Sequence, residues 1–279
     1  MTIIHRRQTN RAFTIIELLV TLTIIVGMIC ILFPAIAATR ESSRRIGCLN
    51  NLRQLSLAIQ NYETSFHMLP SGVVNPTGPI HQTPDDLHVG WIVQLLPYLE
   101  QTSVARSIDT DVSVYDPVNR TPAMTNISSL HCMSNPSRWS RLTKGLGTSN
   151  YAACHHDVEA PIDIDNHGVF FLNSHINYSD ITDGTSTTIF VGEKVIPQND
   201  LGWLSGTRAT LRNTGTPLNL TDQVLPPDIV GGFGSHHPDG ANFMFGDGSV
   251  RLLHNRIQQD LYRRLGHRDD GELVTEGPY

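Results

Sequence analysis

The feature that most constrains this chain is an uncharged run of 22 residues near its N-terminus, from Leu18 to Thr39. As a helix the run would extend about 33 Å, at about 1.5 Å per residue, which is enough to cross a hydrocarbon core of about 30 Å. Residues 1–12 before it carry three arginines and no acid, and Glu17 is the one charge between Phe13 and Thr39. The N-terminus is therefore a membrane-directed segment rather than part of a globular core.

Three interpretations of this segment compete. A secretory signal peptide has a basic start and an apolar core, but this run is longer than such a core usually is. An ordinary signal anchor has the right length, but a carboxylate near the start of a span is costly unless it has a partner. A leader that is cut off just before the apolar run fits best, because the new amine and the acid five residues into the chain would carry complementary charges.

The segment from Arg11 to Val20, RAFTIIELLV, resembles the prepilin cleavage and methylation signal of type IV pilins and type II secretion pseudopilins. The resemblance implies that prepilin peptidase cuts after Ala12 and that the new N-terminal residue, Phe13, is methylated, with Glu17 fifth in the mature chain. That family has Gly before the cut, so Ala12 departs from its pattern. Arginines flank the run on both sides, so the positive-inside rule does not predict an orientation. The resemblance implies that the leader is in the cytoplasm and the remainder outside it.

Glu17 has two possible roles in such a protein. In an assembly, the carboxylate of one subunit would pair with the amine of Phe13 on a neighbour, because a buried pair in lipid tolerates what a lone charge does not. In the alternative, Glu17 reaches the membrane interface and pairs with nothing.

Beyond Thr39 the apolar residues recur every three or four positions, which predicts that the helix continues with one apolar face. The stripe comprises Ile46, Leu49, Leu52, Leu55, Ile59, Tyr62 and Phe66. We therefore divide the chain into a leader (1–12), a transmembrane part of the helix (13–39), an amphipathic continuation (40–66) and a globular β-rich head (67–279). This organisation is that of a pilin-like lollipop.

Short β-rich runs, separated by clusters of turn-forming residues, predict that the head is built on a sheet. The runs are 168–172, 187–191, 241–245 and 249–253. Gly246-Asp247-Gly248 joins the last two and predicts a β-hairpin. Residues 91–99 and 255–265 are expected to form short helices. The fold class is therefore α+β, with a long N-terminal helix followed by a mostly antiparallel sheet.

Several segments together resemble a large bacterial family of prepilin-type proteins whose head has no assigned function. Its signature is His, nine residues and Asp-Gly, which here is His237 followed by Asp247 and Gly248. Further matching segments are 48–54, 61–62, 130–136, 149–151 and 181–193. We expect structural roles for the signature residues, with Asp247 forming a turn, Gly248 taking a positive φ and His237 bonding a loop. A functional His237–Asp247 pair is the alternative.

Composition and motifs exclude several functions. A net charge of −6 offers no basic footprint for nucleic acid. The chain has no Gly-x-Ser-x-Gly elbow and no phosphate-binding loop, so we expect no enzymatic activity. The 13 histidines lack the spacing of zinc ligands. Calcium is the one candidate cofactor, because some pseudopilin heads hold it with loop carboxylates, although no twelve-residue calcium loop is present. The candidate ligands are Asp180, Asp183, Asp239 and Asp247.

The four cysteines divide by place along the chain. Cys30 lies in the apolar run, whereas Cys48, Cys132 and Cys154 would lie in an oxidising compartment if the head is outside the cytoplasm. Three cysteines allow at most one internal bridge. We expect Cys132–Cys154, which closes the shorter loop within the head, with Cys48–Cys132 as the alternative.

These observations predict a pseudopilin-like structural subunit that crosses the inner membrane once, with its head in the periplasm. It would assemble through its N-terminal helix with other pilin-like subunits into a pseudopilus or a secretion fibre. The expected partners are prepilin peptidase, such subunits and membrane lipid. The main alternative is a membrane-anchored binding module that displays its head without polymerising. An anchored hydrolase would need a buried His–acid pair in a deep pocket.

Overall fold

A computed structural model describes residues 14–135, 145–197, 199–220, 225–272 and 274. The predicted leader, residues 1–12, and the predicted cleavage site lie outside the described residues. The chain divides into two compact units, Met1–Ser43 and Arg44–Tyr279. The first helix, α1 (Ile15–Phe66), contributes residues to both units.

In the first unit, α1 contains an apolar segment from Ile15 to Phe33. Its 19 residues are long and apolar enough to cross a membrane, and none of them is buried. At about 1.5 Å per residue the segment extends about 28 Å, close to the thickness of a hydrocarbon core. The chain therefore has one N-terminal helix that can serve as a single-pass anchor.

In the second unit, α1 buries a narrow apolar stripe. Its members are fully buried: Cys48, Leu52, Leu55, Ala58 and Ile59. The predicted stripe is wrong at its ends, since Ile46 is 58% exposed and Phe66 is 53% exposed. Steps of four, three and four residues follow the 3.6-residue turn of an α-helix, whereas repeated steps of three drift around its surface.

The head contains two sheets. The smaller pairs β1 (Val73–Val74) with β2 (Val89–Gly90) in antiparallel fashion. The larger has the order β5-β3-β4-β6-β7. Its strands are β3 (Tyr151–His156), β4 (Ile189–Glu193), β5 (Leu211–Asn213), β6 (Gly240–Phe245) and β7 (Val250–His254). Of its four pairings only β3 with β5 is parallel, so the predicted α+β class with a mostly antiparallel sheet is confirmed.

Short helices lie around the sheets. They are α2 (Trp91–Leu95), which continues as a 3₁₀ turn over Leu96–Leu99, then α3 (Thr102–Ala105), α4 (Arg120–Ala123) and α5 (Gln259–Gly266). Further 3₁₀ turns cover Pro117–Asn119, Ser128–Leu130 and Tyr178–Asp180. The helices predicted over 91–99 and in the C-terminal segment are thus present.

The predicted hairpin is present, but one predicted strand is not. β6 and β7 pair in antiparallel register around the Gly-Asp-Gly turn, with Met244 opposite Val250. Residues 168–172 form no strand, although Gly168 N donates to His155 O at 2.9 Å. β4 and β5 already pair with β3 on its two sides, so the segment makes only isolated bonds there.

Apolar side chains fill both faces of the larger sheet. Successive residues of a strand point to opposite faces, and β3 divides accordingly between two apolar clusters. Tyr151 and Ala153 join the larger cluster, which contains the buried stripe of α1. Ala152 and Cys154 join the smaller cluster, which contains Tyr262 and Leu265 of α5. The two faces of the sheet also separate the cysteines, because Cys48 and Cys132 belong to the larger cluster and Cys154 to the smaller one.

Candidate functional site

Four side chains from distant parts of the sequence meet in the buried interior of the head. Cys48 of α1 and Cys132 of the loop after the Ser128–Leu130 turn form a disulfide, with Cα atoms 5.0 Å apart. Nε2 of His237 lies 3.6 Å from Sγ of Cys132 and 3.5 Å from Oε1 of Glu193. We call these four residues the disulfide cluster, and one ligand-type atom of each lies within 4.8 Å of the others.

The carboxylate of Glu193 is held by the neighbouring strand. Oε2 accepts a hydrogen bond from the backbone N–H of Asn242 at 2.9 Å, and Oε1 accepts one from its Nδ2 at 3.0 Å. Glu193 ends β4, and Gly192 before it pairs with Phe243 of β6, so the ladder brings the two residues together. Among the described residues, His237 is the one titratable group within ion-pair distance of this buried carboxylate.

Residues near the disulfide, from α1, from the loop that contains Cys132 and from the start of β3, form a hydrogen-bond network. Asn51 donates through Nδ2 to His131 O at 2.8 Å, and the Tyr151 hydroxyl donates to Cys48 O at 3.3 Å. Cys132 N donates to Oδ1 of Asn150 at 3.1 Å. Burial raises the pKa of the Tyr151 phenol well above its usual value, so the hydroxyl keeps its proton. The network fastens a loop and α1 to the first residues of β3.

The second half of the signature contacts α1 at a different place. Asp247 accepts from Ser249 N at 2.8 Å through Oδ1, which closes the hairpin turn. Gly248 has a φ of +83°, and a Cβ there would lie 2.9 Å from both Oγ of Ser56 and Nε2 of Gln60. β6 separates this turn from His237. His237 lies beside the disulfide that joins Cys132 to α1, whereas Gly248 lies close to α1 itself.

The expected disulfide Cys132–Cys154 is wrong. Cys154 is a buried free thiol, whereas Cys132 is bonded to Cys48, the pairing that stood as the alternative. The reason is strand parity, since Cys154 points into the smaller apolar cluster and Cys132 lies in the larger one. Burial raises the pKa of the Cys154 thiol. Cys30 is free and exposed in the apolar segment of α1.

The predicted processing residues are only partly described. Ala12 and Phe13 lie outside the described residues. Glu17 accepts through Oε2 from Thr14 N at 2.9 Å and from Thr14 Oγ1 at 2.8 Å. In return, Glu17 N donates a hydrogen bond to Thr14 Oγ1 at 3.3 Å. This reciprocal arrangement is a capping box, which satisfies backbone donors at the start of α1.

Three of the candidate calcium ligands, Asp180, Asp183 and Asp247, accept hydrogen bonds from backbone N–H groups. Asp180 accepts from Asn177 N at 2.8 Å, and Asp247 closes the hairpin turn described above. Asp183 accepts from Asp270 N at 2.6 Å and from Gly271 N at 2.8 Å. In the part of the chain that the structure describes, Asp183 is the one candidate in a group of three possible ligands, and its companions are His267 and Asp270. The structure does not bring the four aspartates, including Asp239, into one such group.

A third group of ligand-type side chains was not predicted as a metal site from the sequence. His156, Asp157 and His167 place one ligand-type atom each within 4.8 Å of one another. The pair His156-Asp157 was visible as a dense local run, but His167 lies ten residues beyond Asp157 without a recognisable spacing. Only the folding of the intervening loop brings it alongside.

The described residues combine one N-terminal helix that is long and apolar enough to cross a membrane with a disulfide-bonded α+β head. The family of the chain follows from comparison of the sequence. A family model described as a protein of unknown function, DUF1559, matches residues 37–260, about four fifths of the chain. The chain belongs to this family. No curated protein and no solved structure matches it.

Proposed function

We propose that this protein is a pseudopilin-like structural subunit, anchored in the inner membrane and assembled through its N-terminal helix. The observation that carries the proposal is α1, which is apolar and has no buried residue over Ile15–Phe33 and buries a stripe in the head from Cys48 onward. An exposed apolar surface of this length requires lipid or other helices as its partner. A structural role without catalysis accords with motif residues that are engaged in turns and disulfide packing.

The proposed location of the head is the periplasm. Disulfides persist in oxidising compartments and are rare in the cytoplasm. The Cys48–Cys132 bridge joins α1 to the body of the head, so it supports an orientation with the head outside and the N-terminal leader inside. The pilin-like resemblance of residues 11–20 gives the same orientation.

The proposed processing is tested by the mass of the mature N-terminus. Prepilin peptidase cleavage after Ala12 would produce a chain that begins with N-methyl-phenylalanine at position 13. Mass spectrometry of the membrane fraction should detect this peptide in wild type and in Ala12→Gly, which restores the residue usual in pilins. A chain that keeps Met1 in both proteins would contradict the processing, even if the helix still anchors it.

The proposed assembly is tested through Cys30. It is the one exposed free cysteine of the chain, because Cys154 is buried and the other two are bonded. A membrane-permeant bis-maleimide should therefore join neighbouring copies through Cys30 if their helices pack together. The expected products are dimers and larger species, and Cys30→Ser should abolish them. Monomers at native expression levels would contradict assembly.

Glu17 provides a sharper version of the same experiment. Glu17→Gln removes the charge but keeps an oxygen that can accept from Thr14 N, whereas Thr14→Ala keeps the charge and removes the hydroxyl of the capping box. Pairing with a neighbouring amine depends on charge, so Glu17→Gln should lower the cross-linked yield several-fold and Thr14→Ala should not. The opposite result would assign Glu17 to helix capping alone.

One observation favours the second candidate, a membrane-anchored binding module that does not polymerise. The carboxylate of Glu17 already has partners in its own chain, at Thr14 N and Oγ1, and needs no second subunit. This candidate predicts a mature, methylated N-terminus together with no cross-linking through Cys30. The two measurements therefore separate the candidates, because both share the processing and only one requires neighbours.

A further inference from the structure

The head contains a compact group of imidazole and carboxylate side chains outside the signature residues. Asp157 Oδ1 lies 2.7 Å from Nδ1 of His156 and 2.9 Å from Nδ1 of His167. The two imidazole rings are 4.3 Å apart between centroids, and the ring of His267 lies 4.6 Å from that of His167. We call His156, Asp157 and His167 the imidazole cluster.

The short contacts of the imidazole cluster cannot all be hydrogen bonds, because they involve more acceptors than donated protons. Asp157 N donates to Nδ1 of His156 at 2.9 Å, which uses the lone pair of that nitrogen. A nitrogen whose lone pair accepts a proton carries none of its own to donate. Nδ1 of His156 and Oδ1 of Asp157 would then face each other at 2.7 Å as two electron-rich atoms. A cation that contacts Oδ1 and takes the lone pair of Nδ1 in place of the Asp157 N–H would remove this repulsion.

The backbone holds the cluster in place. Gly168 N donates to His155 O at 2.9 Å, which brings the residue before it, His167, alongside the end of β3. Arg268 N donates to His167 O at 3.1 Å, and its guanidinium donates to Gly168 O at 2.8 Å. The loop is thus tied both to β3 and to the segment that follows α5. Such fastening limits the reorganisation that binding a ligand would require.

We propose that His156, Asp157 and His167 bind one divalent transition-metal ion of the zinc class. Two imidazoles and one carboxylate make a donor set that suits zinc, copper or nickel, whereas calcium and magnesium prefer oxygen ligands throughout. In a tetrahedral zinc site the ligand atoms lie about 3.3 Å apart, given bonds of about 2.0–2.1 Å. The observed separations of 2.7 and 2.9 Å need to open by only about half an ångström.

The cluster is shielded from bulk water but has a path to solvent. The side chains of His156 and Asp157 are only 8% and 11% exposed, so the charge of the carboxylate is little screened. Arg263 pairs with the other carboxylate oxygen, Oδ2, at 3.3 Å, so its positive charge competes with a cation for Asp157, but it is 44% exposed and does not contact Oδ1 in this pair. The side chain of His167 is 48% exposed, so an ion and the water that completes its coordination can enter from solvent.

The test is zinc binding by the full chain, purified in detergent without a histidine tag and stripped with a chelator. Competition with a zinc-sensitive dye should give one tight site per chain. His167→Gln, which changes an exposed side chain, should weaken that site at least about tenfold, the range seen when the support of a metal site is lost. The matched control is His175→Gln, another exposed loop histidine, which should bind as wild type does. Cobalt substitution should give the visible absorption bands of a tetrahedral nitrogen–oxygen site in wild type and in His175→Gln, but not in His167→Gln.

Three results would overturn the proposal. Wild type could bind zinc no more tightly than His167→Gln, or His175→Gln could lose as much affinity, which would indicate dispersed surface binding. Zinc could also persist in His167→Gln and disappear in Cys132→Ser, which would place it at the disulfide cluster. Asp157→Asn provides a second variant, and circular dichroism confirms that each variant is folded before its affinity is compared.

Discussion

Nε2 of His237 lies 3.5 Å from Oε1 of Glu193, and the two side chains are only 3% and 2% exposed. The same carboxylate accepts both the backbone N–H and Nδ2 of Asn242. One buried acid therefore connects β4, β6 and the histidine of the signature. Its removal would leave three groups without their acceptor in a place that water does not reach.

Glu193→Ala should lower the free energy of unfolding by about 3–5 kcal/mol, the usual cost of breaking a buried ion pair or network. Glu193→Gln should cost less, because its oxygen can still accept from Asn242. Thermal unfolding of the full chain in detergent, followed by the fluorescence of the buried Trp91 and Trp203, measures the effect.

The matched control for this prediction is Glu272→Ala. Glu272 is 54% exposed and pairs with Arg264 at the surface, so its removal should cost at most about 1 kcal/mol. Equal losses at Glu193 and Glu272 would mean that the network around His237 does not stabilise the head.

The pairing of Cys48 with Cys132 makes a prediction about both labelling and stability. Under non-reducing conditions, maleimide should label Cys30 in the folded chain and Cys154 only after unfolding. Cys132→Ser should destabilise the head by about 4 kcal/mol, since the bridge closes a loop of 84 residues. Cys154→Ser should cost far less. A peptide map that links Cys132 to Cys154 would reverse these expectations.

The parts of this fold that depend on local chemistry could be predicted from sequence. The hairpin of β6 and β7 follows from Gly246-Asp247-Gly248, because glycines at a tight turn provide the φ values that other residues avoid. The membrane-length helix follows from composition alone. The prediction of the buried stripe of α1 was less accurate, because several apolar residues of the helix, including Ile46, are exposed.

Pairings between distant residues could not be predicted in the same way. Cys154 was assigned to the bridge by loop length, but its position in β3 points it to the opposite face of the sheet from Cys132. His167 joins His156 only because its loop folds back along β3. Both results depend on strand order and register, which composition and spacing do not specify.

His88 should make the stability of the head sensitive to acid. Burial lowers the pKa of His88 below 6.5, against the opposing charges of Asp85 and Asp86 and with a further lowering from His81. As the pH falls through 6.5 the unfolded chain takes up a proton before the folded chain does. The contribution of His88 to the free energy of unfolding is therefore complete above pH 6.5. Below pH 6.5 it decreases by at most about 1.4 kcal/mol per pH unit.

The variant that isolates this effect is His88→Asn. Asn does not titrate and tolerates the positive φ of +47° at this position. Unfolding measured between pH 7.5 and pH 5 should show a shallower loss for His88→Asn than for wild type, in the presence of a chelator so that bound metal does not contribute. Parallel curves would show that His88 is protonated alike in both states.

Gly248 should be required both for its backbone conformation and for the space beside α1. Its φ of +83° strains any residue with a side chain, and a Cβ would also press on Ser56 and Gln60. Gly271 has a φ of +74° with nothing within 4 Å of a built Cβ, so it provides the matched control. Gly271→Ala should cost about 1 kcal/mol from strain alone, and Gly248→Ala about 1 kcal/mol more from crowding.

A double substitution separates the two costs at Gly248. Ser56→Ala removes the hydroxyl that the new methyl group would meet, so the pair Gly248→Ala and Ser56→Ala should be more stable than the sum of the single changes by about 0.5–1 kcal/mol. The gain should vanish when Ser56→Ala is combined with Gly271→Ala, because those two sites are not in contact. Simple additivity in the first pair would mean that the hairpin turn does not pack against the helix at this point, and the Asp-Gly half of the signature would then serve the turn alone.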